Sequence, residues 1–285
     1  MTTTISQSGL IDPLGQLLKI TGKLAFRGKG RLINYWLDKR DKNAKRIRIL
    51  PGGGKVICDF SVPYEAMVWL EQEEQSDLEL LTQLLKPGQT FVDCGANIGI
   101  WTIVAASAVG SNGRVYAFEP NPFTFEKLSQ NISLLTSKEH IKLLPTAVGN
   151  ENKELALQCH QEHNISQVIS TSTNESIIVP VVTLDATFTD TFVDGIKIDV
   201  EGYEIEVLQG AETILKKYQP WLIVEFNTVL AKVNTLGDWN VHQYLSKLGY
   251  VCRESQYALD STSTTILSQN WQTKGYCNLY YSMPK

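Results

Sequence analysis

The chain has 285 residues, 43% of them hydrophobic and 20% charged, with a formal net charge of −4. That balance belongs to a globular protein with room for one large α/β domain and an added segment, and it excludes a low-complexity or membrane-spanning chain. The five cysteines, Cys58, Cys94, Cys159, Cys252 and Cys277, are odd in number and widely spaced, without a CxxC or a zinc-type Cys/His pair, which predicts reduced thiols.

Residues 1–10 are polar and small, and no regular element is expected there. No secretory leader pattern opens the chain, so a cytoplasmic location is expected and the Asn-x-Ser triplets at Asn131, Asn164 and Asn174 are read as coincidental. From Leu14 to about Arg40 apolar residues recur at helical spacing, and Gly28-Lys29-Gly30 divides them into two short helices. Eleven Lys/Arg stand against two Asp between Lys19 and Arg48, leaving fifteen bases against twenty-eight acids elsewhere. A basic arm thus precedes an acidic body. It is either a solvated face packed on that body, the favoured reading, or a surface for peripheral contact with anionic lipid or an acidic partner. Runs at 46–50 and 55–60 flank Pro51-Gly52-Gly53-Gly54 and predict a β-hairpin. Residues 63–85 read as one helix, stopped by Lys86-Pro87-Gly88. Strands are then expected near 90–94, 114–118, 141–144, 194–199, 221–226, 249–253 and 275–282, and helices near 98–109, 121–135, 203–217 and 238–248. Such alternation predicts a mostly parallel sheet with helices on both faces. Residues 151–182 interrupt the rhythm with two strand-like runs around the polar loop 161–173, an insertion expected to touch substrate. The domain reading is an accessory segment over 1–60 and one α/β domain over 61–285.

Two motifs carry the chemistry. In the first, Phe91-Val92-Asp93-Cys94-Gly95-Ala96-Asn97-Ile98-Gly99 runs from a strand through a small-residue turn into a helix, and the next strand ends in Phe118-Glu119-Pro120. This is half of a nucleotide-binding βαβ unit, with Glu119 placed to accept hydrogen bonds from a ribose diol. Asn97 stands where a dinucleotide fold wants its middle glycine, so a cofactor with a ribose and no pyrophosphate fits better, and S-adenosyl-L-methionine is such a cofactor. In the second, Gly195-Ile196-Lys197-Ile198-Asp199-Val200-Glu201-Gly202 is the fourth core strand, and Glu225 ends the fifth. Asp93, Asp199, Glu201 and Glu225 then surround one crevice at the carboxyl ends of the strands, where their mutual repulsion favours a cationic guest.

These blocks, with Ala117-Phe118-Glu119-Pro120-Asn121-Pro122, Tyr203-Glu204, Val207-Leu208-Gln209-Gly210-Ala211 and Pro220-Trp221-Leu222-Ile223-Val224-Glu225, resemble the FkbM family of S-adenosylmethionine-dependent methyltransferases. The resemblance covers roughly residues 75–230. It implies a Rossmann-like class I methyltransferase fold, with a seven-stranded sheet whose last strand is antiparallel, and O-methylation of a sugar, polyketide, glycolipid or similar small molecule or glycan, with no nucleic acid as partner.

On this reading the cofactor residues are Asp93, Gly95, Asn97, Gly99, Glu119 and Asn121. Gly95 and Gly99 allow close approach, Asp93 orients the methionine amino group through water, and Asn97 faces the methionine tail. The catalytic candidates are Asp199 and Glu201, with Glu225 behind them and His163 as a loop base; Glu201 is alternatively a first-turn acid of the following helix. Lys197 either neutralises the acids or contacts substrate. Asp199, Glu225 and Asn227 are candidate ligands for Mg2+, whose hard oxygen preference they match. An NAD-dependent oxidoreductase and a non-catalytic binding module remain the alternatives in function.

Overall fold

The computed structural model describes residues 12–21, 24, 26–71, 74–160, 165–169, 176–233, 235–254 and 276–284. The chain opens with helices α1 (Pro13–Ile20) and α2 (Lys29–Lys39), followed by the hairpin of β1 (Lys45–Ile49) and β2 (Lys55–Asp59). Asp12 joins the two helices: one carboxylate oxygen caps α1 at Gly15 N (2.8 Å), and the other accepts the Trp36 indole N–H (2.8 Å). Where one helix was expected over 63–85 there are two, α3 (Pro63–Trp69) and α4 (Gln75–Leu84). The chain breaks between them with Glu71 and Glu74 both in the left-handed region, φ 58° and 59°. Arg48, pointing inward from β1 and fully buried, donates to Val68 O (2.8 Å) and Gln75 Oε1 (2.5 Å), pinning the two sides of that break.

The main body alternates β3 (Thr90–Cys94), α5 (Ile100–Val109), β4 (Arg114–Phe118), α6 (Pro122–Ser133) and β5 (Ile141–Leu144). An inserted group follows: β6 (Ala147–Val148), β7 (Lys153–His160), β8 (Ile165–Ile169) and β9 (Ser176–Val182), which form a four-stranded sheet in the order β6-β9-β7-β8. The chain resumes with α7 (Leu184–Thr187), β10 (Gly195–Ile198), α8 (Glu204–Gln209), α9 (Glu212–Lys217), β11 (Trp221–Asn227), α10 (Thr228–Ala231), α11 (Asn240–Lys247), β12 (Val251–Glu254) and β13 (Tyr276–Ser282). The expected helix over 203–217 is likewise two, parted at Gly210-Ala211.

The large sheet has seven strands in the order β12-β13-β11-β10-β3-β4-β5, with β13 antiparallel to both of its neighbours. From β3 the chain builds outward through β4 and β5, then returns to add β10 on the other side, so the order reverses between β3 and β10. A Rossmann-like sheet opens its ligand crevice at that reversal, outside the carboxyl ends of the strands. Every residue of β3 is buried, as a central parallel strand covered on both faces requires.

Two apolar layers sandwich the sheet. One packs Val92, Ile196, Leu222 and Val224 against α8, α9 and α11. The other continues from Phe91, Ile98 and Trp101 through Trp69 and Leu70 to Phe60, Trp36 and Leu18. The N-terminal arm therefore shares a core with the α/β body. The four described free cysteines are Cys58, Cys94, Cys252 and Cys277, and Asn131 is buried, holding Ile57 N (2.9 Å) and Ile98 O (2.8 Å). Among the described residues no helix is long and apolar enough to cross a membrane.

Candidate active site

The register of the parallel strands lays out the site. Lys197 of β10 lies beside Asp93 of β3, and Ile198 beside Val224 of β11, so Asp199 and Glu225 continue side by side past the strand ends. Side chains two apart share a face of a strand, which puts Asp93, Lys197, Asp199 and Glu225 on one face. Lys197 is the hub. Its ammonium lies 3.1 Å from Asp199 Oδ2 and 3.7 Å from Asp93 Oδ1, donates to Gly95 O (2.9 Å) and sits 5.8 Å from the centre of the Trp101 ring. Burial pulls its pKa down, but Asp199, Asp93 and Glu74 outweigh burial and hold it above the ordinary lysine value. Of the two readings of Lys197, the contacts assign neutralisation: it is 3% exposed and absent from the cavity wall.

The turn after β3 is held by its own backbone. Gly95 N and Ala96 N both donate to Phe118 O, at 3.0 and 2.9 Å. Gly95 has φ 83°, and a Cβ there would lie 1.8 Å from Asp199 O, so only glycine lets the turn cross the end of β10. Asn97 adopts φ 50° and folds its Oδ1 onto Ile98 N (2.8 Å). Its own N–H donates to Glu119 Oε2 (2.9 Å), while Asn121 N donates to Glu119 Oε1 (2.9 Å). Glu119 is thus aimed by a backbone clamp on each oxygen, and each oxygen keeps a lone pair for a further donor.

A cavity of about 360 Å³ opens at this point, and Gly95, Asn97, Glu119, Asp199, Glu201, Glu225 and Asn227 line it. Asp93, Gly99 and Asn121 do not. Asp93 is wholly buried beneath the turn, where its Oδ2 accepts from Thr102 Oγ1 (2.6 Å) and its Oδ1 faces the Lys197 ammonium at 3.7 Å. Gly99 serves helix packing, since a Cβ there would meet Leu128 Cδ1 at 2.6 Å. Asn121, 1% exposed, caps α6 by accepting from Phe123 N (3.0 Å). His163 lies outside the described residues. His140 is buried at Ala106 O (3.3 Å) and has no place in the wall.

Several wall residues were not foreseen: Tyr64 and Met67 from α3, Glu74 at the break before α4, Thr146, Tyr203 and Tyr276. Glu74 accepts the Trp101 indole N–H (2.5 Å). Nothing in the run Glu71-Gln72-Glu73-Glu74 marks its last member as inward-facing; the left-handed turn does that. Thr146 Oγ1 is buried without a hydrogen-bond partner, a polar atom left for a guest.

The wall is strongly acidic. Burial pushes the carboxyl of Glu119 up to about 7 against its two N–H donors, and that of Glu74 to about 7 against the pull of Lys197. Burial, with Asp199 and Glu204 nearby, raises Glu201 to about 7. Glu225 rises furthest, to about 10, through burial and then the charges of Asp199, Glu201 and Glu204. Glu201 is itself left-handed, φ 54°, which turns it out of the helix ahead and into the wall. It is therefore not a first-turn acid; Glu204 takes that role, accepting from Gly202 N (2.9 Å).

The proposed magnesium set does not fit. Asp199 is held by the Lys197 ammonium, and Asn227 Oδ1 caps α10, accepting from Val229 N (3.1 Å) and Leu230 N (3.3 Å). Among the described residues no three His, Cys, Asp or Glu side chains converge as a metal would need.

Residues 93–252 match the Methyltransferase FkbM domain family. The chain is 25% identical over 179 residues to the hexuronic acid methyltransferase AglP of Haloferax volcanii, covering 59% of this chain and 70% of that protein. It is 34% identical over 88 residues to a putative ribosomal RNA methyltransferase of Schizosaccharomyces pombe, a match spanning 30% of this chain and 29% of the yeast protein. Among solved structures, an FkbM methyltransferase from Methylobacillus flagellatus aligns at TM-score 0.46 and 16% identity, over 78% of this chain and 55% of that one.

Proposed function

From the premise that the chain belongs to the FkbM methyltransferase family, whose domain spans more than half of its length, we propose that it is an S-adenosylmethionine-dependent O-methyltransferase acting on a hydroxyl of a small molecule or glycan. Family membership answers the oxidoreductase alternative. When bound, the cofactor supplies an electrophilic methyl on a positively charged sulfur. The chain's residues must hold it, bring a hydroxyl into line, exclude water and take the hydroxyl proton.

The observation that carries the reading is the cavity itself: five carboxyl side chains, Glu74, Glu119, Asp199, Glu201 and Glu225, and no Lys, Arg or His among its described lining. A cationic cofactor suits that wall. Glu119, clamped by two N–H groups, offers its free lone pairs to a ribose diol, and Gly95 allows close approach of backbone. Glu201 is the general base, because its carboxyl titrates near neutrality and so both accepts and releases a proton at working pH. Glu225 keeps its proton there and donates a hydrogen bond. Asp199, fixed by Lys197, orients the acceptor.

The likeness to a hexuronic acid methyltransferase supports a sugar-like acceptor. The absence of a basic side chain from the described wall favours a neutral hydroxyl-bearing ring over one bearing carboxylate or phosphate, and over nucleic acid. Calorimetric titration tests the cofactor assignment. S-adenosylmethionine should bind, and Glu119→Ala should weaken it by about 1–3 kcal/mol, the scale for a charge-assisted hydrogen bond. Unchanged affinity would remove Glu119 from the site. Labelled methyl transfer into glycan, metabolite and RNA fractions of an extract tests the acceptor class.

A further inference from the structure

We propose that the outer face of the N-terminal arm docks the protein on an anionic lipid bilayer. Eight of the fourteen large apolar side chains exposed among the described residues fall between Leu17 and Ile49, in the same stretch that carries the excess of Lys and Arg. A contiguous apolar face on a folded protein marks an interaction surface, whereas single exposed residues do not.

Each helix of the arm is apolar on two sides. Inward, Leu18, Ile33 and Trp36 are buried in the core. Outward on α1, Leu17 is 56% and Ile20 80% exposed; just beyond the helix Leu24 is 62% exposed, with its N–H donating to Thr21 O (2.9 Å). Outward on α2, Leu32 and Tyr35 are 41% and 56% exposed, one helical turn apart. Arg31 and Lys39 are exposed one turn before and after Tyr35. The inner stripe accounts for the core. The outer stripe has no role in it.

The charge identifies the occupant. An apolar stripe edged with bases is the pattern of a helix lying in the plane of a membrane, where apolar burial and attraction to anionic headgroups act together, and neither alone anchors stably. A second copy of the chain would set one basic face against another. The surface is also close to the cavity in structural terms. Trp36 stacks on Trp69 of α3 with ring centres 6.1 Å apart, and α3 carries Tyr64 and Met67 of the cavity wall. Such an arm holds the site beside an acceptor resident at the lipid surface.

The test is co-sedimentation of the full chain with vesicles. The arms are phosphatidylcholine alone and phosphatidylcholine with about one third phosphatidylglycerol, each at low and high salt. Binding to the anionic vesicles only, weakened about tenfold by salt, is the expected result. Ile20→Glu with Leu24→Glu, and separately Arg31→Glu with Lys39→Glu, should each lower it about tenfold at an unchanged thermal midpoint. No binding to anionic vesicles overturns the proposal, as does binding that both variants retain. A dimer on a sizing column that Ile20→Glu dissociates, without vesicle binding, reassigns the face to self-association and equally overturns it. Vesicle binding is read without cofactor or acceptor, so its failure leaves the methyl-transfer reading standing, and failure of methyl transfer leaves vesicle binding standing.

Discussion

Glu201, the proposed general base, sits on a strained backbone. A glutamate held at φ 54° is in a region that costs an ordinary residue about 1–2 kcal/mol, and here its carboxyl is also forced among like charges. Two substitutions separate the contributions. Glu201→Gln keeps shape and strain, so turnover should fall by about two to four orders of magnitude while cofactor affinity stays within a few-fold. In the wild type the rate should rise with pH through about 7, and the variant should lose that limb. Glu201→Gly removes both strain and carboxyl, and should leave the urea midpoint equal or higher with activity lost. A midpoint lowered as far as a core substitution lowers it would refute the strain argument. The residues whose chemistry shows in their local pattern, Glu119, Asp199, Glu201 and Glu225, reach the cavity as the sequence leads one to expect. Asp93 and Asn121 do not: the depth of Asp93 is decided by a neighbour far along the chain, Lys197 beside it in the sheet, while Asn121 is taken up locally as the cap of α6 at Phe123 N.

The elements were legible to the degree that apolar period specifies them. The seven strands of the main sheet fall where their apolar runs lie, since buried parallel strands need little more than that. Period failed at the breaks. Residues 63–85 keep a helical pattern straight through Glu71 and Glu74, and only the buried Arg48, bridging Val68 of α3 and Gln75 of α4 from β1, explains why the helix parts there. The insertion was read as two strands and a polar loop; the described residues hold β7, β8 and β9, paired antiparallel. The arm, expected as an accessory segment whose favoured reading is a face packed on the body, has its apolar side chains in the same cluster as Phe91 and Trp101. Trp36 tests that union. It is 2% exposed, stacked on Trp69 and edge-on to Phe60, so Trp36→Ala should lower unfolding free energy by about 3–5 kcal/mol in a single cooperative transition. A truncation of residues 1–45 uncovers Trp69 and Leu70 and is expected to lose stability before it loses any contact in the cavity.

Across the whole molecule, the acids in and beside the cavity wall tie stability to pH. Glu74, Glu119, Glu201 and Glu204 titrate near 7 when folded and near the ordinary 4.5 when unfolded. Between those values the folded chain holds protons that the unfolded chain has released. The stabilisation is complete below about 4.5 and is lost as pH rises through about 7. The urea midpoint of the ligand-free protein should accordingly fall from about pH 5.5 to about pH 8, and S-adenosylmethionine should recover part of the loss where its neutral-sulfur product recovers less. A midpoint flat or rising over that range would mean that the carboxyls ionise freely. The position of β13 bears on a different matter, the order in which the molecule is assembled. Almost the last described segment of the chain, it fills an interior slot between β11 and β12, with Asn278 beside Glu225 and bonded to Asp77 of α4 at 2.9 Å. Until that strand arrives the sheet is in two pieces and the wall around Glu225 is unfinished. Contacts of such long sequence separation form late, so in a refolding time course the ability to bind cofactor should return with the slowest phase. Cofactor binding then doubles as a report on the pairing of β13 with β11 and β12, and a molecule in which that strand has not yet docked should bind poorly.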